Sequence, residues 1–571
     1  MKDLFRYLKY YRKESVLAPL FKLCEALLEL FVPLVVASVI DVGIANGDRG
    51  YVLRCCLGLL ALGVVGLGFS VTAQYFASRA AVGSVAKLKS ALFGHVQSLS
   101  YAELDSLGTA TLITRLTSDA NQVQTGVNLT LRLLLRSPFV VFGAMIMAFT
   151  VDVRAAVIFA VVIPALSLVV FGIMLLTLPL YKQVQQRLDA VLLKARENLT
   201  GVRVLRAFRK EEDENADFCA RNDALTALQK RVGRLSGLLG PLTYVLLNVA
   251  IIALLQTGAA RINGGDLTQG QMVALYNYMS QILVELIKLA NLILNVTRSV
   301  ASAKRIGDVF AVRSSLADGD RTAAPDDVAV EFRGVSLRYA EGAENALTDV
   351  SFTVRRGETV GVIGGTGSGK TSLVNLIPRF YEATAGSVLV DGVAVDRQTL
   401  ASLRAKVGVV PQKAALFQGT VAENLRWGDA NADDSVLYAA LECAQAKDVV
   451  DEKGGLDYAL EQEGRNLSGG QKQRLTIARA LVKRPPILLL DDAASALDFA
   501  TDAALRKALA ALPWRPTIFL VSQRAASVMQ ADKILVLDGG RLVGQGPHDE
   551  LLRTCEVYRE IYDSQFRKEG A

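Results

Sequence analysis

Residues Gly361–Ser372 read GVIGGTGSGKTS, and the fold of the C-terminal part of the chain follows from them. The pattern G-x-x-x-x-G-K-[ST] runs from Gly364 to Thr371, directly after the apolar run Thr359–Ile363. Gly364, Gly365, Gly367 and Gly369 let the backbone bend so that successive N–H groups, through Thr366 and Ser368, point at one anion. Lys370 is then placed to reach the β- and γ-phosphates, and the Thr371 hydroxyl to ligate Mg²⁺. A glycine turn without function could match these letters. The strand signal before it, and the helical spacing of Leu373, Leu376 and Ile377 after Ser372, argue for a strand, a phosphate loop and a helix. The stretch therefore reads as a nucleoside triphosphate site.

The 571 residues leave room for several domains. The chain is 51% hydrophobic, and this apolar content is concentrated in residues 15–300, which argues against a wholly water-soluble protein. The net charge of +7 is clustered by segment, so no nucleic-acid partner is expected from it. Cys24, Cys55, Cys56, Cys219, Cys443 and Cys555 show no metal-ligand spacing and read as small apolar side chains. The N-terminal MKDLFRYLKYYRKES has no apolar core and no small-residue cleavage site, so it is not expected to be a signal peptide. Over residues 2–14, Leu4, Phe5, Leu8 and Tyr11 share one helical face, as in a short helix lying in the membrane interface.

Six apolar stretches follow, at roughly 15–45, 52–78, 129–150, 155–180, 238–260 and 271–297, each able to cross about 30 Å of hydrocarbon. The connections after the first, third and fifth are short. Those after the second and fourth are long, polar and helical in pattern, and carry basic residues such as Arg79, Lys87, Lys89, Arg115, Lys182, Arg187, Lys194 and Arg203. By the positive-inside rule the N-terminus, both long connections and the C-terminal part are cytoplasmic. Within the spans, Lys22, Glu25 and Glu29 fall on one helical face, and Glu285 and Lys288 are three residues apart. Charges at such depth either line a substrate path or pair with one another. Polar side chains scattered among the spans (Gln74, Asn248, Gln256, Tyr276, Asn277, Gln281, Asn291) suit amphipathic ligands and identify none. The resulting expectation is an interfacial helix over 1–14, a six-span membrane domain over 15–310, a polar linker over 311–327 and an α/β domain over 328–571.

The α/β domain carries further motifs in order. Tyr339 precedes the phosphate loop. Gln412 follows a short apolar run and a proline, and its amide can offer an oxygen to Mg²⁺ or to an attacking water. Ser468-Gly469-Gly470-Gln471, after Leu467, opens a helix and makes an anion site from backbone N–H groups. Ile487–Leu490 is a buried strand ending at Asp491, an aspartate placed to hold Mg²⁺, and Ser495–Asp498 follows directly.

Taken together, Tyr339, GGTGSGKT, Gln412, LSGGQ, ILLLDD and SALD resemble the nucleotide-binding domain of ABC transporters. Six spans fused ahead of that domain, with SLGTATLITRLTSDANQV (106–123) and ENLTGVRVLRAFRKEEDE (197–214) as intracellular segments, resemble the exporter half-transporters of that family. The resemblance implies an α-helical polytopic membrane domain followed by a P-loop NTPase domain in the cell membrane. It implies ATP and Mg²⁺ as ligands, and two chains pairing head-to-tail with each ATP between one phosphate loop and the other chain's LSGGQ. Tyr339 is then the ring that stacks on adenine, Asp498 belongs to the same nucleotide interface, and coupling runs through helices near Tyr101–Leu107 and Gly201–Phe208.

Two positions depart from the family pattern. Where the family carries a glutamate as hydrolytic base, this chain has Asp492, whose carboxylate is withdrawn by up to about 1.5 Å. Where the family usually carries a histidine, this chain has Gln523, which cannot become cationic near neutral pH. The only histidines, His95 and His548, lie elsewhere. The combination is expected of the impaired half of a heterodimeric, multidrug-type exporter of amphipathic molecules or lipids. Three alternatives stay open on sequence: a homodimeric exporter, a transporter for one peptide, lipid or metal chelate, and a membrane-bound nucleotide sensor.

Overall fold

The computed structural model describes residues 6–340 and 342–566. Lys2, Leu4 and Phe5 of the expected interfacial helix lie outside the described residues. The chain divides into two compact units, one running up to Gln97 and including Gly108–Val312, the other made of Ser98–Leu107 and the chain from Arg313 on.

In the first unit, six helices are long and apolar enough to cross a membrane: Arg6–Ile44, Arg49–Ser98, Thr109–Val151, Val153–Thr200, Glu211–Asn263 and Gln269–Ala311. They are far longer than the apolar stretches that mark them in sequence. The polar connections continue the same helices, with Pro179 carried inside Val153–Thr200 at the end of its apolar stretch and a one-residue interruption at Leu238 within Glu211–Asn263. Tyr11 leaves helical geometry (φ −117°, ψ 38°), so the chain bends where the basic N-terminal turns meet the first span. Large apolar side chains such as Leu53, Leu60 and Leu67 on the second helix stay exposed, the condition of a surface meant for hydrocarbon. Inward, Phe159, Leu166, Leu254, Leu275, Met279 and Ile282 form a fully buried core, and the Tyr278 hydroxyl donates to the Leu30 carbonyl at 2.6 Å. Such a polar tip inside an apolar core needs a partner, and the backbone supplies it.

The second unit is α/β. Its main sheet runs, in spatial order, Arg541–Gly546, Lys533–Asp538, Thr359–Gly364, Thr517–Val521, Ile487–Asp491 and Val407–Val410. Its inner pairings are parallel, and the outer strand Arg541–Gly546 is antiparallel. The strands Thr517–Val521 and Ile487–Asp491 are buried at every position, as strands covered on both faces must be. A second, antiparallel sheet is built from Val328–Leu337, Leu347–Arg355, Ala385–Val390 and Val393–Ala394.

Two segments are placed by contacts that sequence order hides. Tyr101–Leu107 follows the second span in the chain, yet it belongs to the second unit. The Tyr101 ring lies 4.7 Å from that of Phe380, and the Tyr381 hydroxyl donates to the Asp105 carboxylate at 2.6 Å. The polar stretch read as a linker is tied down as well: Arg379 donates to the Ala317 carbonyl at 2.8 Å, and the Asp320 and Arg321 amides donate to the Arg397 carbonyl. Small polar residues without periodicity can be held by hydrogen bonds to backbone and side chains, which leave no hydrophobic signature.

Candidate functional site

Parallel strands aim their C-terminal ends at one edge of the sheet, and that edge is where loops can gather ligand groups. Thr359–Gly364 ends in the phosphate loop, Ile487–Asp491 ends in two carboxylates, and Thr517–Val521 leads to Gln523. The three strands are adjacent. One pocket is accordingly lined by Tyr339, Ala346, Thr366, Gly367, Gly369, Lys370, Thr371, Ser372, Gln412, Asp491, Asp492, Val521 and Gln523.

Gly367 and Gly369 take positive φ (81° and 96°), whereas Gly364 and Gly365 do not. Gly364 is needed for another reason: a Cβ there would stand 2.2 Å from the Leu537 carbonyl oxygen. At Gly369 both constraints coincide, because a Cβ would lie 2.6 Å from the Ala346 oxygen. Gly369→Ala is expected to cost about 1–3 kcal/mol through a strained backbone. A lower unfolding temperature and a smaller stabilisation by added ATP would register it.

Lys370 opens the helix Lys370–Leu376 and is almost buried. Its ammonium donates to the Gly364 and Gly365 carbonyls at 2.9 and 2.7 Å, so the loop wraps the lysine that the sequence assigns to phosphate. Ser368 is buried beside it. Burial lowers the Lys370 pKa, opposed by Asp492 and Asp491. Burial raises the Asp491 carboxyl, and the neighbouring Asp492 charge adds to this. The Thr371 hydroxyl donates to Asp491 at 3.0 Å. A hydroxyl and a carboxylate side by side form an all-oxygen donor set that fits Mg²⁺; Thr371 and Asp491 would hold it, and it would offset phosphate charge when bound.

Asp492 is raised too, chiefly by burial, and its carboxylate accepts from the Gln412 amide at 3.4 Å. Its φ is +49°, a region that aspartate tolerates better than most residues. Tyr339 also lines the pocket, half exposed, with its hydroxyl 2.8 Å from that of Ser372 and its ring edge-on to Tyr381 at 4.9 Å. Tyr381 carried no motif in the sequence, so only the fold reveals it as the link between Tyr339 and Asp105.

Ser468–Gln471 and Asp498 are not among the residues lining this pocket. Ser468 caps the helix Gly469–Val482, its hydroxyl accepting from the Gln471 amide while the Gln471 side chain accepts from the Ser468 amide. Asp498 caps the helix Phe499–Ala510 and accepts from Thr501. His548 bonds Tyr558, and His95 bonds the Val309 and Val312 carbonyls; neither lines the pocket.

The charges in the spans pair, through a residue that the sequence did not single out. Arg136 of the third long helix donates to Glu29 and to Glu285, each at 2.6 Å. Ser137 and Lys288 also donate to Glu285, at 2.9 and 2.8 Å, and Lys22 pairs with Glu25 at 2.5 Å. A basic residue inside an apolar run was the available signal for Arg136. Its partners are more than a hundred positions away, at separations no helical spacing relates.

Comparison with known proteins agrees with this architecture. The transmembrane region family of ABC transporters matches residues 15–286, and the ABC transporter family matches 347–495. An uncharacterised ABC transporter ATP-binding protein of Mycobacterium tuberculosis is 36% identical over 568 residues, covering 98% of this chain and 97% of that protein. YfiB, an ABC transporter ATP-binding protein of Bacillus subtilis, is 34% identical over 572 residues and covers 100% of both. The ATP-dependent lipid A-core flippase of Bordetella avium is 32% identical over 561 residues, covering 98% and 95%. The chain belongs to the ABC transporter family, as a half-transporter whose membrane domain and nucleotide-binding domain are fused. Its fold is of the exporter type: a bacterial Atm1-family ABC exporter with ATP bound superposes with a TM-score of 0.79 at 24% identity, covering 99% of each chain. It is thus a multi-pass membrane protein with an ABC-type ATPase domain, and family members of this kind work as dimers in the bilayer.

Proposed function

We propose that the chain is one half of a heterodimeric exporter of amphipathic small molecules or lipids, with its N-terminus and nucleotide-binding domain in the cytoplasm. In this reading the divisions 1–14, 15–310, 311–327 and 328–571 are its interfacial, membrane, linking and nucleotide-binding parts. Its own pocket binds ATP through Gly364–Ser372 and Tyr339, with Mg²⁺ held by Thr371, Asp491 and Gln412, and cleaves it slowly. Its Ser468–Gln471 and Asp498 complete the partner's site.

The observation that carries this is the convergence of Asp492 and Gln523 on the pocket that holds Lys370 and Thr371. Both departures weaken one reaction: the base is set back from the water, and the γ-phosphate meets a side chain that stays neutral. Loss of a positioned base typically lowers the rate on the order of 10²–10⁴. The capped helix at Ser468–Gln471 contributes nothing to that pocket, which suits a role across a dimer interface. The lipid substrate of the Bordetella avium relative supports an amphipathic cargo.

The full chain purified alone is expected to bind ATP and to hydrolyse it far below a competent exporter. In a co-purified pair, Asp492→Asn should leave turnover nearly unchanged, while Gly469→Glu should abolish it. Steady-state ATPase rates check both. Normal hydrolysis by the chain alone would favour the second reading, a homodimer in which Asp492 is the base. The contact of Asp492 with Gln412, whose amide can orient a water, suits that reading.

A further inference from the structure

We propose that the ion network across the first, third and sixth long helices recognises the headgroup of a zwitterionic amphiphile, one bearing an ammonium together with a phosphate or carboxylate. The proposal rests on the transport reading above and names the class of cargo.

The network has a buried centre and two open ends. Arg136 and Glu285 are 7% and 3% exposed, whereas the side chains of Glu29 and Lys288 are 41% and 45% exposed. Glu29 is joined to Arg136, Arg136 to Glu285, and Glu285 to Lys288. One anion and one cation are therefore presented from a single rigid link. Helix rise puts Arg136 about 22 Å from Val151, and Glu285 about 24 Å from the helix start at Gln269. Across about 30 Å of hydrocarbon, that leaves both roughly 6–8 Å inside its cytoplasmic boundary, still within the apolar layer, where ionised groups are costly and mark substrate or ion paths.

Stability gives no reason to keep such a network, since apolar side chains of similar volume commonly replace buried ion pairs at no loss. Within the linked set the charges also balance: Arg136 and Lys288 against Glu29 and Glu285. The set attracts neither an anion nor a cation as a whole, and a guest carrying both signs complements its two open ends. Four buried polar atoms of these helices, Ser15 Oγ, Arg132 Nε, Arg136 Nε and Gln281 Oε1, have no hydrogen-bond partner among the described residues, and the last two belong to the network or lie beside it. Gln281 lies one turn before Glu285. A donor and an acceptor left unmade in an apolar setting are what a polar guest or its water would satisfy.

The test uses the full-length chain purified from membranes in a neutral detergent. Equilibrium dialysis measures binding of lysophosphatidylethanolamine, lysophosphatidylglycerol and an alkyltrimethylammonium of equal chain length, with an alkyl betaine as the non-lipid zwitterion. The wild type is expected to prefer the zwitterionic lysolipid roughly tenfold or more over either singly charged probe, as for a charge-assisted hydrogen bond. Glu29→Gln, which keeps an acceptor for Arg136, should shift preference toward the anionic probe. Lys288→Gln should shift it toward the cationic one. Opposite shifts separate recognition from a structural role. Binding of the betaine assigns recognition to charge alone, and its exclusion assigns it to the lipid phosphate. Indifference to headgroup, or to both substitutions, overturns the proposal. ATP-driven dye transport in vesicles, measured in parallel, would then show whether the transport reading stands without it.

Discussion

Lys370→Ala is expected to weaken ATP binding by about 2–5 kcal/mol, the usual result of truncating one member of a buried charge pair. The side chain is 9% exposed and its ammonium bridges the Gly364 and Gly365 carbonyls, so truncation removes the phosphate partner and the tie that holds the loop together. Arginine should not rescue it, because a planar fork does not fit a space shaped for a compact ammonium. Titration calorimetry with ATP and Mg²⁺ on the full chain checks this. Wild-type affinity in the alanine variant would remove Lys370 from the site. The prediction concerns binding alone, so it holds for the heterodimer and the homodimer alike.

Arg136→Met is the second large effect. It leaves Glu285, 3% exposed, with Ser137 and Lys288 as partners, and deprives Glu29 of its counter-charge. Breaking a buried pair from one side destabilises by about 3–5 kcal/mol. A marked fall in unfolding temperature in nanodiscs is expected, and Arg136→Met with Glu285→Gln should recover much of it by removing the stranded charge. Equal losses in the single and double variants would mean that Arg136 acts through packing instead. The double-mutant design isolates the coupling because the two side chains touch directly.

Much of this protein was legible because its motifs are local. Gly364–Thr371 must follow a strand and precede a helix for its N–H groups to converge, and both flanking signals sit within a few residues of it. The six spans declare themselves by length and hydropathy, since a bilayer demands continuous apolar sequence. Asp492 and Gln523 stood out by position relative to neighbouring motifs, and the parallel pairing of their strands then brought both to one pocket.

What the sequence could not supply were relations between distant residues with no periodicity. By itself it determined six membrane spans and a nucleoside triphosphate site, through hydrophobic run length, glycine spacing and strand-terminal carboxylates; the fused ABC half-transporter came from the resemblance of its ordered motifs to that family. Only the tertiary structure decided that the intramembrane charges meet at Arg136, and that Tyr101–Leu107 joins the nucleotide-binding unit through Phe380, Tyr381 and Asp105. Ser468–Gln471, which the resemblance assigns to the opposite site, is not among the residues lining the pocket of Lys370. The physical reason is the same in each case. A contact between residues far apart in the chain is chosen by how helices and sheets pack as bodies, and the residues near one partner in sequence do not identify the other.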